Sequence, residues 1–204
     1  MNGGGKVIVK LSDISNINLG TILTRVKPKN KYIQNVQIPT ISMQELSYEC
    51  GKTDDEFEEI ISTIEADKVD KCLFVEENDV VIGLSSQNAM VISNERAGKL
   101  LLSNFCHIRI NKPEILEPNY LVWLFNENTI FKNRLTNSMQ GTAYVKMITL
   151  DTIRSISLDI PSIEIQRIIG RVYSCSIERD RLAKKEIELK KKLLNKKLEN
   201  YKER

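Results

Sequence analysis

The sequence predicts an α+β protein, in which a mixed α/β domain is followed by one long helix of the coiled-coil type. Before Pro161, short β-rich runs alternate with turns and a few helical segments. After Pro161, residues 163–204 contain no proline and only one glycine, in a stretch dense in Lys, Glu, Leu and Ile. We therefore expect a domain at residues 1–161 and a helix at residues 162–204.

Length and composition favour one globular unit. A chain of 204 residues can bury one good core but hardly two, and its 41% hydrophobic and 28% charged residues are ordinary. No apolar run approaches the roughly 18 residues that a membrane-spanning helix needs. Residues 1–6 lack the apolar core of a signal peptide. We therefore expect a cytoplasmic protein that does not cross a membrane.

The cysteines and the histidine argue against a metal site. Cys50, Cys72, Cys106 and Cys175 form no CxxC pair, and His107 is the only histidine. Structural zinc needs four grouped ligands, and catalytic zinc needs three with a water molecule. We expect reduced thiols, no metal and no cofactor.

Catalytic motifs are absent from the sequence. Gly3–Gly5 are not followed by the Lys-Ser/Thr of a P-loop, and no Gly-x-Ser-x-Gly elbow occurs. No amino-methyltransferase or nuclease motif stands out either. The sequence therefore predicts a protein without catalytic activity, and an enzyme of an unrecognised type remains a minor alternative.

Local patterns predict the elements that frame the domain. Val36–Met43 is predicted as a strand interrupted at Pro39, which confines it to an edge or a bulge. Asp79–Leu84 and Phe105–Ile110 are predicted strands, and a helix is predicted from Pro118 towards Leu135. The pair Thr53 and Glu56 has capping-box spacing. We expect it to open a helix whose apolar face is formed by Phe57, Ile60, Ile61 and Ile64.

Three polar loops have the residue types that contact nucleic acid. Amide and hydroxyl side chains suit base edges in the major groove, and lysine and arginine suit phosphates. The residues that we assign to base contacts are Ser86, Gln87, Asn88, Thr142 and Tyr144. The residues that we assign to phosphate contacts are Arg25, Lys27, Lys29 and Lys146, with Lys31 in the first of these loops. A solvated loop and an amide-rich hairpin turn remain the alternative interpretations.

The predicted terminal helix has an apolar stripe without a partner in the sequence. Its members are Ile168, Val172, Leu182, Leu189 and Leu193. Forty helical residues would extend about 60 Å, so an unbroken helix cannot fold back on a small domain and its stripe needs a partner helix. A kinked pair of helices packed on the same chain is the alternative.

Charge is distributed unevenly along the chain. The net charge is +3, but residues 164–204 carry 13 Lys and Arg against 7 Asp and Glu, which leaves 17 against 20 elsewhere. The mildly acidic domain therefore argues against binding DNA by overall charge, and it leaves room for a local basic patch.

The closing part of the domain resembles a known family. Its motifs, in chain order, are Gly141-Thr142-Ala143, Ile148-Thr149-Leu150-Asp151, Leu158-Asp159-Ile160-Pro161-Ser162 and Gln166-Arg167-Ile168-Ile169. This order resembles the end of a target-recognition domain in specificity subunits of Type I restriction-modification systems. Shorter motifs from Lys10 to Leu124 follow the family order, so the resemblance covers almost the whole chain. Ile165 departs from the family's usual acidic residue, and Asn78 departs from its usual glycine.

The resemblance implies a non-catalytic subunit that reads double-stranded DNA. A modification methyltransferase subunit would dock on the helix and supply catalysis, and a restriction subunit is left open. Family members usually carry two recognition domains and two long helices, whereas this sequence has one of each. We therefore expect a homodimer that pairs through the terminal helices and reads a palindromic, interrupted target. A truncated or silent recognition cassette, or a helical adaptor that never touches DNA, remains an alternative.

Overall fold

The computed structural model describes residues 7–29, 32–53, 57–138, 140–142 and 145–202, with only the backbone described at 138, 140–142, 145, 146 and 202. Within these residues the strands are β1 (Val7–Lys10), β2 (Ser15–Leu19), β3 (Asn35–Thr40), β4 (Ile60–Glu65), β5 (Val80–Gly83), β6 (Ala89–Val91), β7 (Phe105–Ile110), β8 (Gln140–Thr142), β9 (Val145–Met147) and β10 (Ser157–Ile160). The α-helices are α1 (Leu11–Ile14), α2 (Leu23–Val26), α3 (Met43–Glu49), α4 (Pro118–Asn126), α5 (Thr129–Ser138), α6 (Leu150–Ser155) and α7 (Ile163–Lys202). Two 3-10 segments cover Ala66–Lys71 and Asn94–Arg96.

A four-stranded antiparallel sheet in the order β2-β7-β5-β6 forms the centre of the domain. The pairs β1-β10, β3-β4 and β8-β9 form three separate two-stranded sheets. Strand β5 is a continuous apolar run that is buried on both faces. Its alternate residues therefore point into two different cores, as strand geometry requires.

Each face of the central sheet covers its own hydrophobic core. Ile82 and Ile108 pack with α4 residues such as Leu121 and Phe125 on one face. Val81 and Phe105 pack on the other face, against residues that include Leu46 of α3. The expected mixed α/β domain with a long terminal helix is therefore confirmed.

The helix predicted to open at Thr53 is not formed: its described apolar part, Ile60–Glu65, is strand β4, so that prediction was wrong. β4 pairs antiparallel with β3 in full register, from Asn35 opposite Glu65 to Thr40 opposite Ile60. The isoleucines of this segment are β-branched, which favours strand over helix. A partner strand twenty residues upstream outweighed the local capping signal. Pro39 lies in β3, which pairs with β4 in a two-stranded sheet. On its other side an isolated bridge joins Thr40 to Leu100, and the Leu100 backbone donates to the Pro39 carbonyl at 2.8 Å.

The helix predicted from Pro118 towards Leu135 is two helices. α4 ends at Asn126, and the Asn128 side chain accepts a 2.8 Å hydrogen bond from the Phe131 backbone at the start of α5. An asparagine in that position caps a new helix. The chain therefore turns where apolar spacing alone predicted continuity.

The terminal helix α7 is continuous over 40 residues, which excludes the kinked alternative. Its first part belongs to the domain, because it packs along α4 and buries Gln166 completely. The Gln166 amide accepts from the Glu117 backbone and donates to the carbonyls of Ile115 and Pro161. The Arg181 guanidinium donates a hydrogen bond to the Tyr48 carbonyl, and beyond this residue every described side chain of α7 is exposed.

Two absences hold for the part of the chain that the structure describes. None of its helices combines the length and the apolar character needed to span a bilayer. Nor does it contain a group of three or more His, Cys, Asp or Glu side chains placed to hold a metal ion.

Candidate nucleic-acid interface

Two of the polar loops predicted from the sequence begin at one end of the central sheet, and the third returns to it. Leu19 pairs with Cys106, Cys106 also pairs with Ile82, and Ile82 pairs with Ala89. These four residues therefore form one row across the sheet. The chain leaves β2 and β5 beyond this row and enters β7 and β6 there. Loops that connect to this end are brought close together by strand register.

The first loop is the tight turn between β5 and β6. The Gln87 backbone donates to the Gly83 carbonyl at 2.8 Å, and the Gly83 backbone donates to the Asn88 carbonyl at 2.9 Å. These bonds hold Gln87 at φ 62°, in the left-handed region that few non-glycine residues occupy. The partly exposed Gln87 amide has no hydrogen bond to any described residue. The Gln87 backbone is therefore held in a fixed position, and no described residue engages its amide.

The other two predicted residues of this turn also support its shape. Ser86 Oγ accepts a 3.3 Å hydrogen bond from the Asn88 backbone. Asn88 is 8% exposed, and its Oδ1 accepts a hydrogen bond from Lys52 Nζ at 2.5 Å. Asn88 is thus engaged within the protein, whereas the Gln87 amide has no such contact with a described residue. Base contacts by these residues remain predictions.

The second loop is the β8-β9 hairpin. Its return strand leads directly to Ile148, whose backbone donates to the Leu84 carbonyl at 3.0 Å. This bond fixes the base of the hairpin beside the start of the Gln87 turn. Thr142 and Lys146 lie in β8 and β9, and their side chains are outside the described residues, as is Tyr144.

The third segment carries the predicted phosphate contacts and follows β2. Arg25 lies in α2, and Lys27 follows at its end; both side chains are exposed. The Lys29 backbone donates to Glu65 Oε1 at 3.2 Å, which ties this segment to the end of β4. Lys31 is outside the described residues. Two of the predicted segments therefore start from the same end of the sheet, and the return end of the hairpin is bonded beside it.

Sequence analysis missed a second set of cations beside Arg25. The 3-10 segment at residues 66–71 carries Lys68 and Lys71, and both line a cleft of about 760 Å³ together with Arg25. No local motif marks these lysines. Only the β3-β4 pairing, which the sequence did not predict, brings their segment next to α2.

The opposite end of the sheet holds a buried charged cluster. Arg109 donates two 2.9 Å hydrogen bonds to the Asp79 carboxylate, and His107 Nε2 lies 2.7 Å from Asp79 Oδ2. The His107 contact is close but poorly directed, since neither ring nitrogen has a hydrogen bond of good geometry with a described residue. Burial opposes ionisation of Asp79, but contacts from Arg109, His107 and the Glu76 backbone outweigh it and lower its pKa to about 2. We assign this cluster to stability.

The buried thiols of Cys50 and Cys106 are unreactive. Burial raises the pKa of Cys50 and of Cys106 to about 12. A thiol with such a pKa is protonated at neutral pH, and the thiolate is the reactive form. Neither group is therefore suited to nucleophilic chemistry.

The residues of the apolar stripe that we predicted on α7 are exposed. Exposed fractions lie between 56% and 65% for Ile168, Val172, Leu182, Leu189 and Leu193. A groove of about 630 Å³ runs beside the first two, with Trp123 of α4 on its other side.

Comparison with known families agrees with this architecture. The family model described as Type I restriction modification DNA specificity domain matches residues 4–196. The chain belongs to this family. It is accordingly a DNA specificity domain of the Type I restriction-modification kind. A search of curated proteins finds no match for this specificity domain.

Solved structures of Type I subunits share its fold. The HsdS subunit from Thermoanaerobacter tengcongensis superposes with a TM-score of 0.58 at 19% identity, over 94% of this chain and 48% of that one. The S subunit from M. genitalium gives 0.55 at 14%, over 95% and 44%. A chain from a structural study of Type I complex assembly and conformational transition gives 0.56 at 15%, over 95% and 43%. The specificity domain therefore spans a little under half the length of these chains.

Proposed function

We propose that this specificity domain reads one half of a bipartite DNA target in the cytoplasm. The Gln87 turn and the β8-β9 hairpin enter the major groove, while cations after β2 fix the register on phosphates. The observation that carries this proposal is the common location of the three segments at one end of the central sheet. A rigid sheet end can present several short loops to one groove, which separate surfaces could not do.

The second part of the proposal concerns partners. Two copies pair through α7, and a modification methyltransferase subunit docks on the paired helices to supply catalysis; a restriction subunit can join that complex. The exposed apolar stripe of α7 supports this, because unpaired apolar helix faces usually mark a partner site. Two-fold symmetry then requires a palindromic target with a spacer.

Methylation mapping tests the readout. In cells that express the chain with its cognate methyltransferase, Gln87→Ala should relax the methylated motif at about one base, because a lost bidentate contact removes roughly 1–3 kcal/mol of discrimination. Asn111→Ala is the matched control, since Asn111 is an exposed amide at the opposite end of the sheet. An unchanged motif in the Gln87 variant would remove this residue from base readout. Absence of any methylated motif with the unsubstituted chain would favour a silent cassette or an adaptor.

A further inference from the structure

A cleft beside the predicted interface is bordered by cations from two distant segments. Arg25 of α2 lines one side, and Lys68 and Lys71 of the 3-10 segment line the other. The floor includes Gly20 and Thr21, which follow β2. Asp70 is the acidic side chain among the lining residues. The cleft is therefore a local basic site on a domain whose overall charge is slightly negative.

The charges in this cleft are incompletely neutralised. Lys68 pairs with Glu65, but the exposed side chains of Arg25 and Lys71 have no ion pair with a carboxylate in the described parts of the chain. Elsewhere on the domain, Arg96 and Lys99 share the carboxylate of Glu45. Cations held around a cleft repel one another, and an anion between them would relieve that repulsion.

The position of the cleft selects the kind of anion. β2 and β5 are separated by β7 alone, so the cleft and the Gln87 turn start about 10 Å apart, which is two inter-strand spacings. The major groove of B-DNA is about 12 Å wide and has a phosphate backbone along each edge. A turn seated in the groove would therefore bring the cleft to one of those backbones.

We propose that this cleft binds a phosphodiester group of target DNA, with Arg25 and Lys71 as its principal cations and Lys68 in support. This rests on the proposed function and adds Lys68 and Lys71 to its phosphate contacts. The cleft positions the DNA and reads no base. Its contribution is therefore the same for every sequence and declines with salt, because phosphate binding releases counterions.

The salt dependence of DNA binding tests the cleft. The complex of full chain and cognate methyltransferase is titrated with a duplex carrying the mapped target and with a shuffled duplex, at several salt concentrations. The double substitution Arg25→Ala with Lys71→Ala should lower the slope of log Kd against log salt by about one, equally for both duplexes. The methylated motif should not change.

A matched double variant controls for the loss of two charges. Lys10→Ala with Lys112→Ala removes two exposed lysines near the opposite end of the sheet. Asp70→Asn should act in the opposite direction and tighten binding to both duplexes, a gain that misfolding cannot produce. The cleft is not a phosphate site if the Arg25 and Lys71 variant has the same salt slope as this control, or if Asp70→Asn leaves DNA affinity unchanged. Either result would reject the cleft proposal alone, provided that the unsubstituted complex prefers its target duplex. If the unsubstituted complex shows no preference, the proposed function fails first and the cleft proposal falls with it.

Discussion

Single residues explain one departure from the family pattern. Asn78 stands where the resemblance leads one to expect glycine, and its φ is 68°. Glycine adopts that backbone freely, and asparagine is among the few residues that tolerate it. The requirement at this position is thus a left-handed turn before Asp79, and either residue meets it. The sequence showed the substitution, but the positive φ that explains it appears only in the structure.

The Asp79 cluster predicts how stability depends on acid. Its pKa is depressed to about 2 in the fold, so its contribution is present above its unfolded value near 4 and is lost as the pH falls through the folded value. Asp79→Asn should lower the free energy of unfolding by about 2 kcal/mol at pH 6. The difference from the unsubstituted chain should shrink towards pH 2, where a protonated Asp79 resembles asparagine.

Urea titrations at several pH values measure this difference. Asp151→Asn is the control, because Asp151 is exposed and its contact with Arg154 is 3.8 Å long. That variant should differ from the unsubstituted chain by less than about 0.5 kcal/mol. An Asp79 difference that stayed constant from pH 6 to pH 2 would contradict the assigned electrostatic role.

At the scale of elements, hydrophobic periodicity correctly predicted the elements that do not depend on pairing with a distant segment. α7 is predicted well because a long apolar stripe at helical spacing, without proline, is compatible with one long helix. β4 was missed because its identity depends on β3, more than twenty residues away. The capping pattern after Thr53 is a local signal, and a local signal cannot report a non-local partner.

The close packing of α7 on α4 predicts an unusual response at Gly170. A methyl group there would lie 2.5 Å from Glu117 Oε2 and 3.1 Å from the Tyr120 backbone nitrogen. Gly170→Ala should therefore lower the free energy of unfolding, since overpacking costs about 1–3 kcal/mol against a helix-propensity gain of about 1 kcal/mol. Asn195→Ala, at an exposed site on the same helix, should leave it unchanged or slightly higher. Denaturant unfolding of both variants decides, and a Gly170 variant of increased stability would show that the helices are not in close contact.

At the scale of the whole molecule, the candidate interface is a product of sheet register. Residue types alone marked Arg25, Gln87 and the loop before Ile148 as suitable for nucleic acid. Their common location follows from the pairing of β2, β5 and β7 and from the bond between Ile148 and Leu84. These contacts join residues far apart in sequence, so no single segment contains the information. For the same reason, the sequence did not identify Lys68 and Lys71 as part of the candidate interface.

The exposed half of α7 predicts that the molecule acts as a pair. Leu189 is 56% exposed and belongs to a stripe that no described part of the chain covers. In a symmetric dimer, one substitution removes a buried leucine from each of the two protomers. Leu189→Glu should therefore weaken association by about 3 kcal/mol or more, which is roughly a hundredfold in Kd. Asn195→Glu adds the same charge about 120° around the helix from Leu189, outside the stripe, and should leave the dimer intact. Light scattering across a concentration series measures both, with and without the methyltransferase. A monomer in every case for the unsubstituted chain would exclude pairing and, with it, the symmetric target.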